Sequence, residues 1–193
     1  MPTRAPALSA EDRRAAIIAA TLPLLLERGS NITTRQIAEA ACIAEGTIFG
    51  VFPDKDAVIR AVVEAALDPE PAEQAIAAID RALPFEEQLV DAVGIMQDRV
   101  ARIWRLISNV GDAGLPPKPP ADSAALAAIF TAGGGRLRVE PIVAARQLRA
   151  LTLAVSHPML FVDAPMPPRN IVSVLLDGIR EHGCGEPPRE HLE

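Results

Sequence analysis

The side chains best suited to contact a nucleic acid lie in residues 33–56, which read TTRQIAEAACIAEGTIFGVFPDKD. Thr33 and Thr47 carry hydroxyl groups that can donate hydrogen bonds to phosphate oxygens. Lys55 places a positive charge at the predicted start of a helix, where backbone N–H groups also favour anions. These residue types, in this order, indicate a surface that can bind a phosphate backbone.

Two short helices joined by a tight turn are predicted to position these side chains. Thr33 and Gln36 have the T-x-x-Q spacing of a capping box. The pattern predicts a helix over residues 34–41, a turn over 42–44 and a second helix over 45–51. Pro53 ends the second helix, and Asp54 caps a further helix over 55–67. This layout is the one that places a helix in the major groove of DNA.

The second of these helices has the low profile that a groove about 12 Å wide requires. Ile48 and Phe52 are predicted to pack behind it, and Phe49 lies near its rim. The predicted DNA contacts are Thr33, Thr34, Arg35, Glu45, Gly46, Thr47, Phe49, Gly50 and Lys55.

The composition favours an all-α fold. The 193 residues are 49% hydrophobic but only 3% aromatic, without a tyrosine, so Ala, Leu, Ile and Val must fill a helix-on-helix core. Ser9 is a good cap and Gly29 a good stop for a first helix. Further helices are predicted over residues 72–83, 85–110, 121–132, 141–157 and 169–182.

The negative charge of the chain lies outside the predicted DNA-contacting region. Residues 1–60 hold seven basic and seven acidic side chains, so the other 12 basic and 18 acidic residues carry the whole net charge of −6. A neutral N-terminal module can still present a basic face to a polyanion.

Several other functional classes find no support. No apolar run approaches the roughly 18–20 residues that span a membrane, and the N-terminus lacks the apolar segment of a signal peptide. Two cysteines cannot build a disulfide framework, so a cytoplasmic protein is expected, with Cys42 as a small buried hydrophobe. We expect neither a cofactor nor a metal, and no Cys-His pair or carboxylate pair indicates an enzyme.

Residues 10–65 resemble the N-terminal domain of TetR-family transcriptional regulators. The resemblance is carried by Ile17, Ile18, Ala20, Glu27-Arg28-Gly29, Thr33, Ile37-Ala38, Gly46-Thr47-Ile48-Phe49 and Phe52-Pro53-Asp54-Lys55-Asp56-Ala57. It implies a helix-turn-helix DNA-binding domain over residues 10–60 and a helical effector-binding and dimerisation domain over 61–183. Residues 184–193 are expected to form a flexible tail.

The chain departs from the family pattern within the recognition segment. Cys42 stands where a glycine is usual in the turn, and Ala44 replaces a serine cap. Phe49 replaces a tyrosine, Gly50 a polar base-reading residue, and Val51 an aromatic or histidine phosphate contact. These replacements remove several hydrogen bonds that the family pattern would make with DNA.

The resemblance also implies a small apolar effector, held among the helices of the second domain. The predicted lining residues lie on two helical stripes: Met96, Val100, Ile103, Trp104, Ile107, Leu126 and Phe130. For any single one of these residues, an ordinary packed core is the favoured explanation.

A homodimer is implied by the same resemblance, with its interface on the last two long helices. The predicted interface residues are Leu148, Leu151, Val155, Ile171, Leu175, Gly178 and Ile179. Packing within one chain is the alternative. Two-fold symmetry would present two recognition helices to a palindromic operator on double-stranded DNA.

The predicted function is therefore a ligand-responsive DNA-binding transcriptional regulator, a repressor that a small molecule releases from its operator. One alternative is a TetR-like helical protein that binds a small molecule but has lost or weak DNA binding. Another is a helical enzyme acting on an apolar substrate.

Overall fold

The protein folds into helices, as the composition predicts, in a computed structural model that describes residues 9–111, 121–133, 137–158 and 164–180. The α-helices are α1 (Ala10–Arg28), α2 (Thr34–Ala40), α3 (Glu45–Phe49), α4 (Lys55–Leu67), α5 (Glu70–Ala77), α6 (Phe85–Val110), α7 (Ala124–Gly133), α8 (Pro141–Ser156) and α9 (Pro168–Ile179). In these ranges the only β-type pairing is an isolated bridge between Leu137 and Arg180. The all-α fold class is confirmed.

Local capping signals mark several helix boundaries. Ser9 accepts a hydrogen bond from the Asp12 N–H to begin α1, and the Gly29 N–H donates to the Leu25 carbonyl at its end. The largest difference from the prediction is α5, which begins at Glu70 and ends at Ala77 instead of spanning residues 72–83. Pro71 lies in its first turn, where a missing N–H costs no intrahelical hydrogen bond.

The N-terminal unit comprises residues 1–68 together with 102–119. Its described core is formed by apolar side chains from α1 to α4 and the end of α6, among them Ile17, Leu25, Ile37, Ile48, Phe52, Val58, Val62 and Leu106. The boundary predicted between residues 60 and 61 falls inside α4, where Ala61, Val62 and Val63 are buried in this core. The compact unit therefore extends to Asp68 and also takes in the last turns of α6.

The C-terminal unit comprises residues 69–101 together with 120–193. Its described core includes Ile76, Leu89, Val93, Leu126, Ile129, Phe130, Leu148, Ile171 and Leu176. Phe85 and Phe130 pack edge to face, with ring centroids 5.8 Å apart. At the surface the Arg146 guanidinium bonds to Asp122 and holds the pKa of that carboxyl below its usual value. The predicted tail, residues 184–193, lies outside the described residues.

None of the helices in the described ranges is long and apolar enough to cross a lipid bilayer.

Candidate nucleic-acid interface

The capping box predicted at the start of α2 is present. The Thr33 hydroxyl oxygen accepts a hydrogen bond from the Gln36 N–H at 3.2 Å, and the Thr33 N–H donates to the Gln36 side chain at 2.9 Å. Ile37 and Ala38 are buried and anchor this helix to the core. The entry to α2, with Thr33, Thr34 and Arg35, is therefore fixed by local hydrogen bonds and packing.

The turn between α2 and α3 depends on a left-handed residue. Cys42 has φ of 54°, and its N–H donates to the Glu39 carbonyl at 3.2 Å. The expectation that Cys42 is a buried hydrophobe is wrong, because its side chain is exposed. The left-handed conformation explains why a glycine would suit this position better.

α3 is a five-residue helix with one buried and one open face. Ile48 is fully buried, and Phe52, just beyond the helix, is 1% exposed, as the sequence predicts. The opposite face carries the exposed residues Glu45, Gly46, Phe49 and Gly50. Thr47 is half-buried at the edge between the two faces.

The packing behind α3 is completed from α1. The Arg14 guanidinium lies 4.4 Å from the centre of the Phe52 ring, a cation–π arrangement. Ala44 precedes α3 and supplies no side-chain cap, in agreement with the loss of a serine there. The position of α3 thus rests on hydrophobic anchoring more than on its own hydrogen bonds.

A side-chain hydrogen bond joins the starts of α2 and α3. The Thr34 hydroxyl donates to the Glu45 carboxylate at 2.5 Å. This contact brings the predicted sites on the two helices onto one continuous surface. It also engages one oxygen of the only acidic side chain on the open face of α3.

The predicted phosphate-binding cations are held by weak surface contacts. Arg35 pairs with Glu39 one helical turn away, at 2.9 Å, and both side chains are exposed. Such a pair contributes about 0.3–0.5 kcal/mol, so a phosphate can compete for the guanidinium. The Lys55 ammonium donates to the Ser30 carbonyl at 3.0 Å beside the start of α4, where Asp54 caps the Ala57 N–H.

The seven residues predicted to bind an effector are divided between the two units. Met96, Leu126 and Phe130 are buried in the core of the C-terminal unit, and Val100 lies half-buried in the same stretch of α6. Ile103, Trp104 and Ile107 fall in the part of α6 that belongs to the N-terminal unit and are half-buried. The structure therefore does not assemble them as the lining of one cavity within either unit.

A shallow groove of about 160 Å³ does occur on the C-terminal unit, between α6 and α9. It is lined by Glu86, Val90, Arg169, Val172, Ser173, Leu176, Asp177 and Arg180. Arg169 pairs with Glu87, and Arg180 with Glu86 at 2.5 Å. None of the predicted effector-binding residues lines this groove.

Most residues predicted for a dimer interface face the interior of a single chain. Leu148, Val155, Ile171, Leu175 and Ile179 are buried in the core of the C-terminal unit, and Leu151 packs against it. Gly178 alone among the seven is exposed. A side chain already buried within one protomer has almost no surface to offer a second.

The outward faces of α8 and α9 carry exposed apolar residues that lie outside the predicted interface. Leu153 is 49% exposed and Val174 is 56% exposed. Neither residue belongs to the apolar helical stripes from which the interface was predicted. Leu153 stands between Thr152 and Ala154, and Val174 between Ser173 and Leu175, so neither falls on the stripe that apolar periodicity follows.

The helix-turn-helix geometry coincides with a sequence match. Residues 17–62 match the model of the bacterial regulatory proteins of the tetR family. This chain carries the tetR-family N-terminal domain. The match covers α1 from residue 17 onward, all of α2 and α3, and α4 up to residue 62, and it contains every residue predicted to contact DNA. No curated protein sequence is significantly similar to the whole chain.

The tetR-family fold also extends over the rest of the chain. A TetR-family protein from Vibrio parahaemolyticus superposes with a TM-score of 0.56 at 17% identity, covering 89% of this chain and 100% of its own. A TetR-family regulator from Mesorhizobium loti gives 0.59 at 16% identity, covering 91% and 100%. One from Agrobacterium tumefaciens gives 0.56 at 18% identity, covering 90% and 100%. At such identities the likeness is one of fold.

The described residues contain no group of three or more His, Cys, Asp or Glu side chains placed to hold a metal ion.

Proposed function

We propose that this chain is a ligand-responsive transcriptional regulator that docks α3 in the major groove of operator DNA. The observation that carries the proposal is that α3, within the tetR-family domain, has one buried face and one open face. Its buried face is anchored by Ile48, and its other face, which carries Glu45, Gly46, Phe49 and Gly50, is open. An exposed short helix braced from behind is what groove binding requires.

The DNA backbone would be held by residues on either side of that helix. Thr33, Thr34 and Arg35 lie at the start of α2, and Lys55 lies at the start of α4. Both ends of the surface thus offer a hydroxyl or a cation to phosphate oxygens, and these contacts fix the register of the protein on the duplex. Thr47, half-buried on α3, adds a hydroxyl between them.

Two protomers would place two recognition helices in successive major grooves, about 34–36 Å apart along the DNA. We assign the contact between protomers to the outward faces of α8 and α9, where Leu153, Val174 and Gly178 are exposed. An added Cβ at Gly178 would meet no atom within 4 Å in its own chain, so this position is open to a close approach by a second helix.

Release from the operator would follow ligand binding in the C-terminal unit. α6 is one continuous helix that contributes residues 85–101 to the C-terminal unit and 102–110 to the N-terminal unit. Near its end the Asn109 side-chain amide donates to the Leu26 carbonyl of α1 at 2.7 Å. A displacement of α6 by ligand would therefore be felt at α1, with coupling on the usual scale of about 1–3 kcal/mol.

Selection of bound duplexes from a random DNA pool tests the proposal. We expect enrichment of a palindrome whose half-sites are centred one helical turn apart or slightly more. The full-length protein should protect that sequence in footprinting at low salt. If no sequence is enriched and the protein does not retard DNA in a gel-shift assay at low salt, the proposed function is wrong.

That result would favour a second function, in which a protein of this fold binds a small molecule and has lost or weak DNA binding. One observation favours it: α3 carries no basic side chain. Trp104, the only tryptophan, allows a fluorescence titration with apolar compounds in the presence and absence of DNA. Ligand binding without any effect of DNA would support this second function.

A further inference from the structure

The open face of α3 contains an exposed aromatic ring between two bare positions. Phe49 is 53% exposed, which is unusual for a side chain of this size. Gly46 lies three residues before it, and Gly50 follows it directly, so all three share the open side of the helix. The ring therefore projects from a surface that has no neighbouring side chains to shield it on these two sides.

Packing within the chain does not account for the two glycines. A Cβ at Gly46 would meet nothing within 4 Å, and one at Gly50 would make only an ordinary contact, 3.4 Å from the Thr47 carbonyl oxygen. Neither residue has a positive φ. Since glycine weakens a helix relative to alanine, and the fold requires it at neither position, their bareness is explained by something outside the chain that approaches closely.

The open face also lacks the side chains that read guanine or adenine. Guanine is read by Arg or Lys, and adenine by Asn or Gln, through paired hydrogen bonds in the major groove. α3 has none of these, and one oxygen of its single carboxylate accepts a hydrogen bond from Thr34. A phenyl ring without a hydroxyl has one good partner on the base edges, which is the 5-methyl group of thymine.

We infer that Phe49 is a specificity-determining residue that reads a thymine 5-methyl group in each half-site of the operator. Gly46 and Gly50 let the helix approach the base edges closely enough for the ring to cover that methyl. This inference deepens the proposed function and rests on it. It predicts a thymine at one fixed position in each half-site of the selected DNA.

Replacing that thymine by uracil removes the methyl group and leaves base pairing and phosphates unchanged. Each thymine of the selected duplex is replaced by deoxyuridine in turn, and affinity is measured by fluorescence anisotropy. We expect wild-type affinity to fall about four-fold at one position per half-site and about fifteen-fold when both are replaced. Phe49→Ala should bind the thymine and uracil duplexes equally, whereas Phe49→Tyr, which keeps the ring, should retain the preference.

A second measurement needs no variant. With a cytosine–guanine pair at the same position, 5-methylcytosine should bind about four-fold more tightly than cytosine, because it restores the methyl at the same place in the groove. Phe49 lies at the surface, so the thermal melt of Phe49→Ala is expected to match wild type.

The outcomes distinguish failure of this inference from failure of the proposed function. If DNA is selected but uracil binds as well as thymine at every position, this inference is overturned and the proposed function stands. A uracil effect that persists in Phe49→Ala overturns the assignment to this residue. If no DNA sequence is selected, the proposed function is overturned, and so is the inference that Phe49 reads thymine.

Discussion

Among the residues that the structure describes, Cys42 is the one non-glycine residue with a left-handed backbone. Its φ of 54° lies in the left-handed region, where a Cβ is crowded by about 1–2 kcal/mol. We expect Cys42→Gly to raise the free energy of unfolding by about 0.5–1 kcal/mol, after the extra chain entropy of glycine is subtracted. Urea denaturation measures this, and Cys42→Ala is the control, since it removes the thiol but keeps the Cβ. Equal stability of the two variants would refute the explanation.

Gly29 and Gly46 give opposite predictions for the same substitution. Gly29 has φ of 62°, and a Cβ there would lie 2.4 Å from the backbone oxygen of Asn109. Gly29→Ala should therefore destabilise the protein by at least about 2 kcal/mol, because the obstructing atom belongs to a helix backbone. Gly46→Ala should stabilise it by about 0.5 kcal/mol, because the added methyl group meets nothing and helix propensity improves. Thermal melts of both variants measure these changes in stability. If Gly29→Ala melts at the wild-type temperature, the backbone of Asn109 does not lie against Gly29 as described.

Lys55 and Thr47 should contribute to affinity for all DNA sequences alike. Lys55→Ala removes one cation from the backbone-binding surface, so binding should weaken and the slope of log K against log salt should flatten by about one unit. Thr47→Ala should weaken binding without changing that slope, because the hydroxyl is neutral. Arg169→Ala removes one positive charge from the C-terminal unit and serves as the control. Wild-type binding by both variants would show that the docking face is misassigned.

At the scale of the helices, the start of α3 has neither a side-chain cap nor a proline in its first turn. Ala44 has the extended backbone of an N-cap, φ −71° and ψ 141°, but no side chain to accept a hydrogen bond. We expect Ala44→Ser to stabilise the protein by about 0.5–1 kcal/mol, because its hydroxyl can accept an N–H of the first turn. Ala40→Ser, at the exposed end of α2, tests for a general effect of serine and should not stabilise. Chemical denaturation of the two variants distinguishes them.

Helix positions were well predicted from sequence wherever a cap or a stop marks them. The Thr33–Gln36 capping box and the Asp54 cap fix the starts of α2 and α4 in the structure as in the prediction. α5 was predicted to begin at residue 72, after Pro71, but it begins at Glu70, because a proline is compatible with the first turn of a helix. These signals act through neighbouring residues, so the sequence alone contains them.

The burial of helix faces was harder to predict, since it depends on residues distant in sequence. The stripes that contain Leu148 on α8 and Ile171 on α9 were correctly identified as apolar, but the structure buries both within one chain. Periodicity shows that a face is hidden from water and does not show which surface covers it. The burial of Ile48 and Phe52 behind α3 was better predicted, because both lie within a few residues of the helix face that they anchor.

For the whole molecule, the decisive question is whether two protomers meet through the outward faces of α8 and α9. Leu153→Asp and Val174→Asp each place a carboxylate on an exposed position of one of these helices, so the protomer should fold normally. In a two-fold dimer every substitution occurs twice at the same interface, and the desolvation cost doubles. We therefore expect monomers in sedimentation at micromolar concentration, together with loss of affinity for the complete palindrome.

Ala75→Asp, on the exposed side of α5, adds the same charge elsewhere and should leave the assembly unchanged. A monomer that still folds would bind a single half-site through one recognition helix, and with weak affinity, because the second helix no longer contributes its phosphate contacts. Comparing half-site and full-site affinity in the Asp variants thus separates loss of dimerisation from damage to the DNA surface. A dimer that survives both substitutions would place the interface on another face of the C-terminal unit.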